Sequence, residues 1–253
     1  MPGLIWTRLR QGRRTIDLEA AAEALPECFR GRPAIAPERC VAGCNACVEA
    51  CPTGAIARDP LRIDLGRCVF CPGCTEACPE GAITYTRDHR LASTERASLV
   101  ITGNEIPGVA RLEKGMRRIF GRSLRLRQVS AGGAGASEAE IAALGNVVFD
   151  LSRFGVQFVA SPRHADGMVV TGPVSRNMAL ALRKTYEAIP TPKIVIAVGT
   201  EAISGGLYRG SPDVLDGVPG DIPVDLYVPG HPPHPLTILD GLLRLLGRLG
   251  EKV

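Results

Sequence analysis

Stacking surfaces are what this sequence supplies least: aromatic residues make up 4% of its 253 positions, with one tryptophan, four tyrosines and six phenylalanines. Single-stranded nucleic acid is bound by stacking bases on aromatic rings along a basic groove, so nucleic acid is not an expected partner. Long apolar runs are lacking too. Stretches such as VVF at 147–149 and KIVIAVG at 193–199 fall far short of the ~20 residues that cross a bilayer. The leading MPGLIWTRLRQGRR has its basic residues after an apolar start and no extended apolar core, so no secretory signal is expected and the cytoplasm is the expected compartment. Nor is there a strong charge excess, the formal net charge being +4. The arginines are nevertheless bunched, at Arg8, Arg10, Arg13 and Arg14 and again at Arg117, Arg118, Arg122, Arg125 and Arg127. Such runs suit a solvated face, a protein partner or an anionic membrane surface.

Cysteine is what the chain does hold. Eight of its nine cysteines form two runs, Cys40, Cys44, Cys47, Cys51 and Cys68, Cys71, Cys74, Cys78, each closed by a proline, Pro52 or Pro79. The second run follows C-x2-C-x2-C-x3-C-P, the bacterial ferredoxin spacing, in which the fourth cysteine of each run ligates the other run's cluster. Three thiolates so spaced can wrap one corner of a cubane, and the proline turns the chain away from the site. The expected sets are Cys40, Cys44, Cys47 and Cys78 for one [4Fe–4S] cluster and Cys68, Cys71, Cys74 and Cys51 for the other. An internal repeat agrees: CVEACPTGAI at 47–56 is answered by CTEACPEGAI at 74–83, an offset of 27 residues that becomes 28 at Cys40. The extra residue, CVAGC in place of CxxC, loosens that loop or shifts that cluster's potential, and the cluster is expected to survive it. Two zinc sites or a set of disulfides are the competing readings; zinc knuckles rarely use this rhythm, and disulfides need an oxidising compartment. Cys28, outside both runs, reads as a small buried or surface thiol.

The length suits one or two domains with a real core. Residues 1–35 read as a lead-in, with a helical stretch at IDLEAAAEAL (16–25) broken by Pro26 and Pro33. Residues 36–90 hold the cluster module, and 91–128 form a basic connector with a short helix at LEKGMRRIFG. From 129 to 253 short apolar strands at VQFVAS, GMVVTG, KIVIAVG and VDLYVPG alternate with helical stretches at SEAEIAALGN, SRNMALALRKTYEAI and PLTILDGLLRLLGRL. That alternation predicts an α/β fold, a parallel sheet with helices on both faces. In such sheets the site lies at the carboxyl ends of the strands, which points to the loops SPRHAD, TGPVS, GTEAISGG and PGHPPHP. The last helix carries Leu236, Leu239, Leu242, Leu243 and Leu246 on one side, a core-packing stripe.

The segment running from RSLRLRQVSAGG through FGVQFVASPRHAD, VVTGPVSRNM, PKIVIAVG, SGGLY and IPVDLYVPG resembles the family containing the small subunit of energy-converting (group 4) nickel–iron hydrogenases and its counterpart, the 20 kDa (B-type) subunit of respiratory complex I. The match covers residues 122–249, and the first half resembles the two-cluster ferredoxin subunit of the same complexes. The chain thus looks like a fusion of two neighbouring electron-transfer subunits, a two-cluster ferredoxin module followed by a flavodoxin-like doubly wound sheet. The resemblance implies a terminal [4Fe–4S] cluster held by four strand-end cysteines. At those four positions this chain has Ala134, Ser137, Glu201 and His231.

Clusters prefer soft thiolates, and alanine has no donor at all. A single zinc or ferrous ion on Glu201 and His231, helped by His164, is one alternative; the other is that these residues fill the vacancy. A vacated cluster site leaves backbone donors unsatisfied, at about 1–3 kcal/mol each. Glu201 could accept from several of them, with Arg163 or protonated His231 as its positive neighbour. Two functions follow as expectations. The first is an electron-transfer subunit, rather than a self-contained catalyst, of a membrane-associated oxidoreductase, carrying two clusters without the terminal one. The second is a mainly structural docking subunit. The resemblance also implies a large nickel–iron or quinone-type subunit and membrane-arm subunits as partners, with the chain peripheral on the inner face of the cell membrane.

Overall fold

A computed structural model describes residues 3–249 except 13, 19, 21–24 and 105–107. Of the helix expected over 16–25, residues 19 and 21–24 lie outside the described residues, and residues 16–18, 20 and 25 are turn or irregular rather than helical. Helix α1 (Leu4–Gln11) comes first, followed by strand β1 (Pro33–Ile35). Then come α2 (Ala46–Glu49), β2 (Ile56–Ala57), β3 (Arg62–Asp64), α3 (Gly73–Ala77), β4 (Ile83–Tyr85) and β5 (Val100–Ile101). Strands β1 and β4 pair antiparallel, and β2, β3 and β5 form a three-stranded antiparallel sheet. The two short helices each carry one buried thiol, Cys47 in α2 and Cys74 in α3. Those thiols join Ile35, Ile56, Ile63, Leu65, Ile83 and Leu99 in one small core.

The second half is one parallel sheet. Helix α4 (Lys114–Phe120) leads into β6 (Leu124–Ser130), followed by α5 (Ala136–Ala143), β7 (Val156–Phe158) and β8 (Gly167–Thr171). Helix α6 (Arg176–Ala188), β9 (Ile194–Val198), α7 (Thr200–Ser204), β10 (Leu226–Val228) and α8 (Pro235–Leu245) complete it. The strand order is β10-β9-β8-β6-β7 and every pairing is parallel, which is the flavodoxin-like doubly wound order. The sheet takes in the last residues of the segment expected to be a connector, because β6 begins at Leu124. Charge hides its start: Arg125 and Arg127 alternate with Leu124 and Leu126, which are fully buried.

Strands β8 and β9 are buried at every position, as the middle of a sheet covered on both faces requires. Successive side chains go to opposite faces. Val169, Ile196 and Val198 join Ile141 of α5 and Leu239, Leu242 and Leu243 of α8 in one core, while Met168, Val170 and Val195 join Leu182 of α6 in the other. The leucine stripe of α8 is therefore core, as its spacing predicts.

The two halves are latched together by hydroxyls. Thr200 Oγ1 donates to the Cys68 carbonyl at 2.8 Å and Ser204 Oγ to the Gly66 carbonyl at 2.7 Å, both buried. Ser93 bridges to Tyr227 of β10, and the Leu112 amide donates to Leu245 O at 3.0 Å. Among the described residues no helix is long and apolar enough to cross a membrane.

Candidate metal centres and the strand-end crevice

The eight thiols of the two runs gather around two cavities. Cys40, Cys44 and Cys47 line one cavity with Cys78, against Leu61 and Ile83. Cys68, Cys71 and Cys74 line a second with Cys51, against Ile56 and Ile63. Four thiols around one space are the donor set an iron–sulfur cluster requires. Among the described residues no three His, Cys, Asp or Glu side chains converge tightly enough for a single metal ion. None of the cysteines is in a disulfide.

Backbone amides are aimed at the sulfurs. The Ala55 amide donates to Cys51 Sγ and the Ala82 amide to Cys78 Sγ, both at 3.2 Å, and the Phe70 amide to Cys68 Sγ at 3.3 Å. The first two are equivalent under the 27-residue repeat. Burial, followed by its thiol neighbours Cys78 and Cys40, raises the pKa of Cys47; burial raises that of Cys74, with Cys71 and Cys51 adding to it. Cys68 is pushed up to about 12, chiefly by burial. A metal must displace a proton from each such thiol, and the amide donors offset part of that cost.

Two neighbours of the thiols are not expected from the cysteine spacing. Tyr85 stands with its hydroxyl 3.9 Å from Cys68 Sγ and 4.0 Å from Cys74 Sγ, and donates to Cys71 O at 3.0 Å. Its place in the first repeat is taken by Arg58, whose Nη2 donates at 3.1 Å to Val41 O, inside the inserted CVAGC loop. A signal for both lies in the sequence: Arg58 and Tyr85 stand just beyond Ile56 and Ile83, where the matching repeat ends. The insertion is thus tied down by a side chain, and Gly43 within it takes φ +79°, a conformation glycine adopts without strain. Cys28 is exposed and lines a separate cleft of about 270 Å³ with Phe70, His231 and His234.

In a sheet of this order the crevice opens where β6 and β8 part. Gly133, after β6, and Gly172, after β8, meet there backbone to backbone. A β-carbon at Gly172 would lie 2.4 Å from the Gly133 amide nitrogen, and one at Gly133 would lie 2.5 Å from Glu201 Oε2. Glu201 opens α7 and is 5% exposed. Its Oε2 accepts from the Ala134 amide at 3.4 Å, and its Oε1 is 3.7 Å from His231 Nδ1. Ser137 is buried on α5, with its Oγ 2.6 Å from where a β-carbon of Gly199 would stand. Ala134 and His231 therefore lie at the Glu201 carboxylate, and Ser137 lies beside Gly199, two residues before it.

The expected single-ion site does not form, since Glu201 and His231 are a pair without a third ligand. His164 and Arg163 are exposed on a turn at the amino end of β8, across the sheet from Glu201. SPRHAD is expected to be a strand-end loop, but β7 is only three residues long and the chain has already crossed back by Asp166, which bonds to Arg125. Of the two positive neighbours expected for Glu201, only His231 is present. A further polar residue, for which the sequence carries no signal, is Glu138, whose Oε1 accepts from Thr171 Oγ1 at 2.7 Å and Ser130 Oγ at 2.6 Å.

Burial raises the Glu201 carboxyl pKa, outweighing the pull of His231 and the Ala134 amide, and Glu138 adds to the rise. Folding thus favours the protonated form. Stability is expected to fall as pH rises from the unfolded carboxylate value through the raised folded one. Glu201→Gln keeps an acceptor for the Ala134 amide and should flatten that fall, leaving the variant the more stable at neutral pH. Urea unfolding between about pH 5 and pH 8 checks it; a Gln variant with the same slope would contradict the burial of the carboxylate.

The sequence matches two families: the 20 kDa subunit of NADH ubiquinone oxidoreductase over residues 135–245 and a 4Fe-4S dicluster domain over residues 39–82. The B-type subunit of the NADH-quinone oxidoreductase of Desulfovibrio desulfuricans is 50% identical over 106 residues, covering 42% of this chain and 57% of that protein. The probable membrane-bound hydrogenase subunit mbhJ of Pyrococcus furiosus is 39% identical over 146 residues, 56% of this chain and 87% of that protein. Formate hydrogenlyase subunit 7 of Escherichia coli is 37% identical over 145 residues, 57% of each chain. The match thus spans little more than half the length of the first and third of these relatives.

Proposed function

The chain belongs to the family of the 20 kDa subunit of NADH ubiquinone oxidoreductase, and from that premise we propose that it is an electron-transfer subunit of a membrane-associated oxidoreductase related to complex I and the group 4 hydrogenases. Its redox centres are two [4Fe–4S] clusters, one on Cys40, Cys44, Cys47 and Cys78, the other on Cys68, Cys71, Cys74 and Cys51. The observation that carries this reading is the sorting of eight thiols into two crossed sets of four. Each cluster supplies a one-electron centre whose potential is set by hydrogen bonds to sulfur and by burial. The protein's part is to hold those terms: Ala55, Ala82 and Phe70 donate amides to sulfur, Tyr85 buttresses the second set, and Leu61, Ile56, Ile63 and Ile83 keep water away.

The α/β half carries no terminal cluster. Ala134 offers no ligand atom, and the Glu201 carboxylate occupies the space beside Ala134 and His231. Electrons therefore enter and leave through the ferredoxin half. The α/β half, from about residue 122 onward, is the docking platform for a large subunit of nickel–iron or quinone type and for membrane-arm subunits, on the cytoplasmic face of the membrane. The filled crevice also favours a second reading, in which the whole chain is structural. Anaerobic reduction with dithionite followed by EPR separates the two: an electron carrier shows paramagnetic centres that reduce and then discharge to an oxidised viologen, whereas centres that fail to do so leave the docking role alone.

A further inference from the structure

Among the described residues nothing buries helix α1. None of its residues is buried, and Leu4, Ile5, Trp6 and Leu9 are 90%, 78%, 60% and 77% exposed. Apolar side chains in such number on one short helix need a cover. With a turn of about 100° per residue, Ile5, Leu9 and Trp6 occupy an arc of about 100°, and Arg8 and Arg10 lie one on each edge of it. Thr7, Gln11 and Leu4 face the other way, so the stripe itself holds three apolar side chains. A stripe two turns long offers a protein groove few of the anchors at i, i+3, i+4 and i+7 by which helices dock. It does match an interface between oil and water: long arginine stems bordering an apolar strip bring their charges up to the lipid headgroups, and tryptophan is the side chain that settles at that depth. Charge supports the same occupant, since Arg8, Arg10, Arg13 and Arg14 precede the first acidic residue, Asp17.

We propose that α1 is an in-plane membrane anchor, seating Ile5, Trp6 and Leu9 in the headgroup layer of an anionic bilayer with Arg8 and Arg10 on the lipid phosphates. The proposal rests on α1 alone and stands apart from the electron-transfer reading. It gives this chain its own hold on lipid, additional to any contact between subunits.

Trp6 is the only tryptophan in the sequence, so intrinsic fluorescence reports on this helix. Anaerobically purified full-length protein is titrated with vesicles of phosphatidylcholine, with and without about one third phosphatidylglycerol. The expected result is a blue shift of Trp6, protection from acrylamide and co-flotation with the anionic vesicles, at least about tenfold weaker without the anionic lipid and weakened by salt. The double variants Ile5→Gln/Leu9→Gln and Arg8→Glu/Arg10→Glu should each lose at least about tenfold in vesicle affinity at unchanged iron content, because neither pair packs on the fold. Emission that stays unshifted on anionic vesicles, binding that survives in both variants, or a shift seen only when a protein subunit is added would each overturn the proposal.

Discussion

Cys51→Ala is expected to remove the cluster of the second cysteine run, and Cys78→Ala that of the first, although each residue sits in the other run. Iron should fall from about eight to about four per chain in either variant, because a cubane deprived of one of its four thiolates is not retained. Equal losses alone do not test the crossing; the identity of the surviving centre does. The EPR spectrum left by Cys51→Ala should match that left by Cys71→Ala, and the spectrum of Cys78→Ala should match that of Cys44→Ala. The grounds are spatial: Cys51 lies on the cavity of Cys68, Cys71 and Cys74, and Cys78 on that of Cys40, Cys44 and Cys47. If Cys51→Ala pairs with Cys44→Ala, the crossing is wrong. Each variant should also unfold more readily, since the vacated cavity leaves buried thiols in a core that metal binding helps to form.

A gain is expected where the chain has lost its ligands. Replacing Ala134, Ser137, Glu201 and His231 together with cysteine should raise the iron content from about eight to about twelve per chain and add a third EPR signal, because soft thiolates are what the crevice lacks. The backbone there is tight: Gly133 and Gly172 meet too closely for any side chain, and the Ala134 amide donates to the Glu201 carboxylate. Three cysteines with Ala134 retained should hold far less iron. If the fourfold variant folds and still binds about eight irons, the crevice has closed beyond repair by ligands, and Glu201 is more than a filler.

Much of this is legible in the residues. The cysteine rhythm stands out because ligation constrains spacing more tightly than packing does, and the mostly apolar β8 and all-apolar β9 announce a covered sheet. The misses share a cause, which is that they depend on what lies across the fold. The alternation of leucine with arginine in β6 reads as a charged connector until the neighbouring strands bury Leu124 and Leu126. Thr200 and Ser204 are ordinary helix residues in sequence; only the docking of Gly66 and Cys68 makes them a latch. His164 belongs to the crevice only under a strand-end rule that presumes a full-length strand, and three-residue β7 sends the loop to the other end of the sheet.

Glu201 shows how sequence and structure combine. Its identity raises the question of a vacated site, since a carboxylate stands where a thiolate is expected. Its burial beside His231 and under the Ala134 amide answers in favour of a filled pocket over a metal ion. On the proposed reading, the family's fold carries no cluster here and the electrons stay in the other half of the chain.

The most direct test of that claim is quantitation of iron and acid-labile sulfide, with EPR of the dithionite-reduced state, on the anaerobically purified full-length protein. Two clusters and a crevice filled by Glu201 predict about eight irons and about eight sulfides per chain, whereas about twelve of each, with a third signal, would contradict it.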